Sequence, residues 1–173
     1  LYGTAVILGM YLIIATIPAG IVGFFFGGLI EQTFSNLLVI GIGFFISALF
    51  LFSASVKREE NKRLSLGNII VVGLAQALAI LPGISRSGST SSTGVLLGLS
   101  REKAIRFSFL LAIPVILGAV ILNFQDIRGL DFVSSALGFI FAFIFGLLGI
   151  FLFLKKISLK SFRWFALYCF IMG

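Results

Sequence analysis

The residues best suited to chemistry in this chain stand together, in the run Pro82-Gly83-Ile84-Ser85-Arg86-Ser87-Gly88-Ser89-Thr90-Ser91-Ser92-Thr93-Gly94. Hydroxyls crowd around one guanidinium, and apolar stretches flank both sides. The planar fork of Arg86 suits phosphate oxygens. Gly83 and Gly88 let backbone approach a ligand closely. A helix starting near Gly88 to Thr90 would aim free N–H groups and its positive end at the same place. Ser85, Ser87 and Thr90 add neutral donors. An arginine at the centre of a membrane helix costs about 2.5–3.5 kcal/mol on insertion scales, so Arg86 needs compensation. An anion, phosphate or pyrophosphate, supplies it directly. Two plainer readings compete: an interfacial loop with Arg86 snorkelling and serines capping a helix, or a kinase target at Arg86-Ser87, which requires cytosolic exposure.

The residues that are missing narrow the chemistry. The chain has no histidine, and no Asp or Glu lies inside an apolar run. It therefore offers no evident general base, no metal carboxylate beside Arg86 and no imidazole nucleophile. Gln76, six residues before Pro82, either points into a cavity or bonds a neighbouring helix. The single cysteine, Cys169, sits in an apolar run and reads as inert packing.

The elements that position this run are membrane helices. The chain is 60% hydrophobic and 11% charged, far from the roughly 25% charged residues of a soluble domain. Its net charge of +7 sits in short loops, which points to topogenic charge and away from nucleic acid. With a span needing about 20 apolar residues, Tyr2–Leu29, Leu37–Val56, Phe107–Phe124 and Phe132–Leu154 qualify, and Ser161–Met172 begins another. Pro18 and Pro114 fall inside spans and are expected to kink them. The pairs Ile17-Pro18 and Ile113-Pro114 form a weak echo. Glu31, Asp126 and Asp131 are expected in loops.

Basic clusters at Lys57, Arg58, Lys62 and Arg63, at Arg101, Lys103 and Arg106, and at Lys155, Lys156, Lys160 and Arg163 mark the cytoplasmic side. The region around Glu31 and the segment Gln125–Asp131, whose only basic residue is Arg128, face outward. Leu66–Ser100 then begins and ends on one side. It is expected to be a re-entrant helix–loop–helix, with a first arm Gly67–Leu81, a polar tip, and a second apolar arm Gly94–Leu99. Irregular backbone at that depth survives only in protein or beside a wet cavity, which is the form of an intramembrane binding site. The fold class is all-α integral membrane protein, a single membrane domain over 1–173, as part of an inverted-repeat bundle. Both ends read as cut.

The stretch from Gly73 to Thr90, with Gln76 in the arm and Pro82-Gly83-Ile84-Ser85-Arg86-Ser87-Gly88-Ser89-Thr90 at the tip, closely resembles the second signature of bacterial undecaprenyl-pyrophosphate phosphatases of the bacitracin-resistance type. That signature is Pro-Gly-x-Ser-Arg-Ser-x-x-Thr. Phe107 to Pro114 and Ala15 to Gly20 are similar to the family as well. The resemblance implies hydrolysis of undecaprenyl pyrophosphate to undecaprenyl phosphate and inorganic phosphate, recycling the lipid carrier for peptidoglycan. It implies a multi-pass protein of the bacterial plasma membrane, with the site facing the outer side. It also implies a divalent cation, Mg²⁺ or Ca²⁺. By match, Arg86 binds the pyrophosphate and Ser85, Ser87 and Thr90 help hold it. Pro82, Gly83, Gly88 and Gln76 shape the substrate site, and a cavity between helices takes the first part of the prenyl chain. The family's first motif, rich in glutamate and ending in Ser-Ser-x-Gly-His, has no match here. The carboxylate ligands are accordingly expected outside this chain, and the nucleophile stays open, as does homodimerisation.

Other classes fare less well. A phosphatidic-acid-type lipid phosphatase needs histidines that are absent. A polyprenyl-phosphate or other anion transporter, with Arg86 binding substrate without hydrolysis, is the main alternative. A scaffold gives no reason for the polar tip.

Overall fold

The computed structural model describes residues 2–57, 60–62, 65–122, 131–155 and 159–173. These form seven helices: α1 Tyr2–Thr33, α2 Leu37–Val56, α3 Leu66–Leu78, α4 Arg86–Leu96, α5 Arg101–Leu122, α6 Phe132–Lys155 and α7 Leu159–Met172. No strand occurs among the described residues. Four of the helices, α1, α2, α5 and α6, are long and apolar enough to cross a membrane. The chain is an all-α, multi-pass membrane protein.

The helices start where the sequence supplies caps. Asn36 Oδ1 accepts from Leu38 N–H at 3.0 Å and opens α2. Ser65 Oγ accepts from Asn68 N–H at 3.3 Å and opens α3, and Asp131 Oδ2 accepts from Ser134 N–H at 2.9 Å ahead of α6. Glu31 lies in the last turns of α1, because the helix runs past the apolar stretch to Thr33. Pro18 and Pro114 sit inside unbroken helices. Arg58, Glu59, Arg63, Asp126, Arg128 and Lys156 lie outside the described residues.

The re-entrant expectation holds. α3 and α4 are 13 and 11 residues long, so each rises about 20 Å or less, too short for a ~30 Å core. The hairpin returns to the side it left. Lys62 N–H donates to the Gly98 carbonyl at 3.0 Å, and Arg101 Nη2 donates to the Lys57 carbonyl at 2.8 Å. The far end of α4 closes with Gly98 at φ +101°. There Leu99 N–H reaches the Gly94 carbonyl and Gly98 N–H the Val95 carbonyl, each at 3.0 Å, a glycine-dependent helix stop.

α3 packs on α1, and α4 is enclosed by α2, α3 and α5. α7 lies against α2. The hairpin separates two apolar clusters. One joins Ala15, Ile69, Val72, Phe107 and Leu111. The other includes Leu51, Val95, Ile105, Phe162 and Cys169, where the cysteine is buried packing. α6 buries none of its residues from Phe132 to Leu152.

Candidate functional site: an arginine held at the tip of a buried hairpin

The polar run is helical sooner than its composition suggests. α4 begins at Arg86, not near Gly88 to Thr90, because Ser85 caps it. Ser85 Oγ accepts from Gly88 N–H at 3.1 Å, and Ser89 N–H reaches the Ser85 carbonyl at 2.8 Å. The second arm is therefore Arg86–Leu96 rather than the apolar Gly94–Leu99 alone. The first arm ends as helix at Leu78 and tightens into i→i+3 turns, Ile80 to Ala77 and Leu81 to Leu78, each at 3.2 Å. Every residue from Gly88 to Val95 is buried. Apolar periodicity gives no hint of such a helix, since small hydroxyl side chains fold back on their own backbone. Thr90 Oγ1 donates to the Arg86 carbonyl at 2.9 Å, and Ser91 Oγ to the Ser87 carbonyl.

The tip is moored to α2. Gly83 adopts φ +83°, which excludes ordinary side chains. A Cβ on Gly83 would run into the Ile40 carbonyl, and one on Gly43 into the Pro82 carbonyl. Ser47, fully buried on α2, completes the mooring. Its Oγ accepts from Ser85 N–H at 2.7 Å and lies 3.0 Å from the Gly83 carbonyl oxygen. Nothing about Ser47 stands out in an apolar span. The same is true of Ser108 on α5, whose Oγ is 2.6 Å from Thr90 Oγ1.

The expected site residues fall into three groups. Arg86 and Gln76 form one network. Arg86 Nε and Nη2 both donate to Gln76 Oε1, at 3.1 and 2.7 Å, and Nη2 also donates to the Leu111 carbonyl at 2.7 Å. Gln76, 1% exposed, lies behind Arg86, and its Nε2 donates to the Ala15 carbonyl at 3.2 Å. Arg86 Nη1 has no hydrogen-bond partner among the described residues, nor do the first backbone N–H groups of α4, at Arg86 and Ser87. Pro82, Gly83, Ser85 and Gly88 form the second group and shape the tip. Gly88 is required there, since a Cβ would lie 2.8 Å from Ser85 Oγ. Ser87 and Thr90 diverge: Ser87 is exposed, whereas Thr90 is 2% exposed and its hydroxyl is spent on Arg86 and Ser108.

Beside the tip, between α2, α5 and α7, lies a cavity of about 400 Å³. Ser85, Ser87 and Ser91 line its polar wall, and Phe44, Phe109 and Phe162 belong to the apolar one. A divalent cation does not fit what is present. No group of three metal-ligating side chains occurs among the described residues, and nothing acidic bonds Arg86. What this arrangement can do is hold a phosphate oxygen on a fixed guanidinium edge and a helix N-terminus; the cavity reaches the start of α4 through Ser85, Ser87 and Gly88, and Arg86 is not among its lining residues.

Four apolar spans around a short buried hairpin define an all-α, multi-pass membrane protein. Residues 3–173 match the family described as bacitracin resistance protein BacA, and the chain belongs to that family. It is 40% identical over 167 residues to an undecaprenyl-diphosphatase of Christiangramia forsetii, covering 94% of this chain and 63% of that protein. It is 43% identical over 167 residues to an undecaprenyl-diphosphatase of Methanosphaera stadtmanae, covering 94% and 60%. With undecaprenyl-diphosphatase 1 of Bacillus cereus it shares 41% identity over 171 residues, covering 95% and 63%. The chain thus spans less than two thirds of the length of these relatives.

Proposed function

We propose that this chain supplies the arginine half of a membrane site that hydrolyses undecaprenyl pyrophosphate to undecaprenyl phosphate and inorganic phosphate. One observation carries the reading: Arg86 is clamped on one edge by Gln76 and Leu111, while Nη1 and the α4 N-terminus stay open. A guanidinium fixed in this way stabilises charge on the pyrophosphate and, as the bond to the leaving prenyl phosphate breaks, the charge that develops there. Ser87 adds a neutral donor from its exposed hydroxyl. The cavity flanked by Phe44, Phe109 and Phe162 suits the first isoprene units of the lipid.

The hairpin starts and ends beside Lys57, Lys62, Arg101 and Lys103, so its tip points away from the basic side. This supports a site opening to the outer face of the plasma membrane. In this reading the carboxylates for Mg²⁺ or Ca²⁺ belong to the part of the relatives' length that this chain does not span, and the cation's chemistry is supplied there.

The test is phosphate release from a short-chain polyprenyl pyrophosphate in detergent, using the whole protein with Mg²⁺ or EDTA. Removing one preorganised donor costs about 10²–10³ in rate. Arg86→Ala is therefore expected to lose at least that much, and Lys57→Ala to match wild type. Equal rates for Arg86→Ala and wild type sink the assignment. Binding of substrate without any release by wild type would favour transport.

A further inference from the structure

We infer that Gln76 is a positioning residue that aims the Arg86 guanidinium without neutralising it; the inference rests on the phosphatase reading above. An arginine is usually fixed by a carboxylate, but a carboxylate also cancels the charge that an anionic substrate needs. Here the orienting partner is an amide. Gln76 Oε1 takes both Nε–H and Nη2–H of Arg86, which fixes rotation about the end of the side chain. Burial to 1% exposure keeps Gln76 off any substrate.

The amide is itself fixed. Its Nε2 donates to the Ala15 carbonyl on α1, and Arg86 Nη2 donates to the Leu111 carbonyl on α5. These two acceptors occupy equivalent places. Each lies three residues before an in-helix proline, Pro18 or Pro114. Proline removes one N–H from the helix ladder and crowds the carbonyl four residues back. The next carbonyl along, at Ala15 or Leu111, is the one that accepts from the site. The Ile-Pro echo in the sequence thus marks the two ends of one hydrogen-bond chain: Ala15, Gln76, Arg86, Leu111. All three contacts to the guanidinium are with neutral oxygens, so none of them cancels its charge.

Among the described residues no acidic side chain bonds the guanidinium, and α2, which packs on α4, has no ionisable side chain. α1 brings Tyr11 to the adjoining apolar cluster and carries Glu31 in its last turns, and α3 has no ionisable side chain. α4 has only Arg86. α5 carries Arg101, Glu102, Lys103 and Arg106 in its first two turns, with Arg106 and Glu102 paired at 2.7 Å.

Gln76→Glu therefore gives a distinctive test in the phosphate-release assay. Beside Arg86 the new side chain stays a carboxylate, pairs with the guanidinium and opposes the Ala15 carbonyl. The expected result is kcat/KM about 10–100-fold below wild type, the cost typical of losing an orienting partner, with KM raised because the charge that meets the substrate is cancelled. A variant with wild-type kinetics, or with a deficit confined to kcat at unchanged KM, overturns the inference. If Gln76→Glu does not fold, Gln76→Met keeps the shape and removes both polar atoms, and wild-type kcat/KM in that variant overturns it equally. Failure of the phosphatase reading looks different: wild type itself releases no phosphate. If wild type is active and Arg86→Ala is dead while both Gln76 variants match wild type, only the positioning role falls.

Discussion

Ser47→Ala is the sharpest probe of how the tip is held. The hydroxyl of Ser47 is the acceptor for Ser85 N–H at 2.7 Å and lies 3.0 Å from the Gly83 carbonyl oxygen. Removing it takes the protein acceptor from a part-buried backbone donor at the start of α4. An unsatisfied buried group costs about 1–3 kcal/mol. Taking about 2 kcal/mol, and about 1.4 kcal/mol per factor of ten, the properly held tip becomes roughly 30-fold less favoured against alternatives. Ser85 is the cap that starts α4, so the loss reaches the α4 N-terminus and Arg86 directly. Ser55, on the same helix and equally buried, donates only to the Phe52 carbonyl of its own helix at 2.7 Å, so Ser55→Ala is a matched control. In phosphate release from a short-chain polyprenyl pyrophosphate, kcat/KM is expected to fall, by up to about 30-fold, for Ser47→Ala and less than about twofold for Ser55→Ala. Indistinguishable values for the two variants would refute the mooring argument.

Gly88→Ala should lower the thermal midpoint of the purified protein, because its Cβ would lie 2.8 Å from Ser85 Oγ and displace the cap, a loss worth about 0.5–2 kcal/mol; Gly20→Ala, whose Cβ meets nothing within 4 Å, should leave the midpoint unchanged. At the basic side, a hydrogen bond from Lys62, then the charge of Lys57, holds the Glu60 carboxyl below its ordinary range. Its contribution is fully present above that range, near pH ~4, and is lost as pH falls through the depressed value. Midpoints of wild type and Glu60→Gln should converge at acid pH, with only a small, salt-screened difference at neutrality because the group is exposed.

The spans and the hairpin were legible because hydropathy and basic-loop asymmetry are strong signals with a single geometric solution. Two basic ends on one side force Leu66–Ser100 to turn back, and the Lys62–Gly98 bond closes that turn. The start of α4 was not legible. Ser, Thr and Gly read as loop when nothing apolar repeats, and only the tertiary enclosure by α2, α3 and α5 makes them a helix. Ser47 and Ser108 look like incidental small residues in apolar spans, and their role depends on depth relative to the tip. For Gln76 the sequence left two options, cavity or neighbouring helix. The structure gives it a neighbouring helix at one end and the site arginine at the other.

The short, polar hairpin also constrains how the protein is assembled. α1, α2, α5 and α6 can each enter the bilayer on their own apolar length. α4 cannot. It carries Arg86, and Ser89, Ser92 and Thr93 have buried hydroxyls without hydrogen-bond partners among the described residues. Lipid would leave such a segment far worse off than protein does. α4 therefore depends on α2, α3 and α5 for its enclosure, and α5 follows it in the chain. An earlier segment is thus settled by a later one, so the hairpin and the span after it are one structural unit.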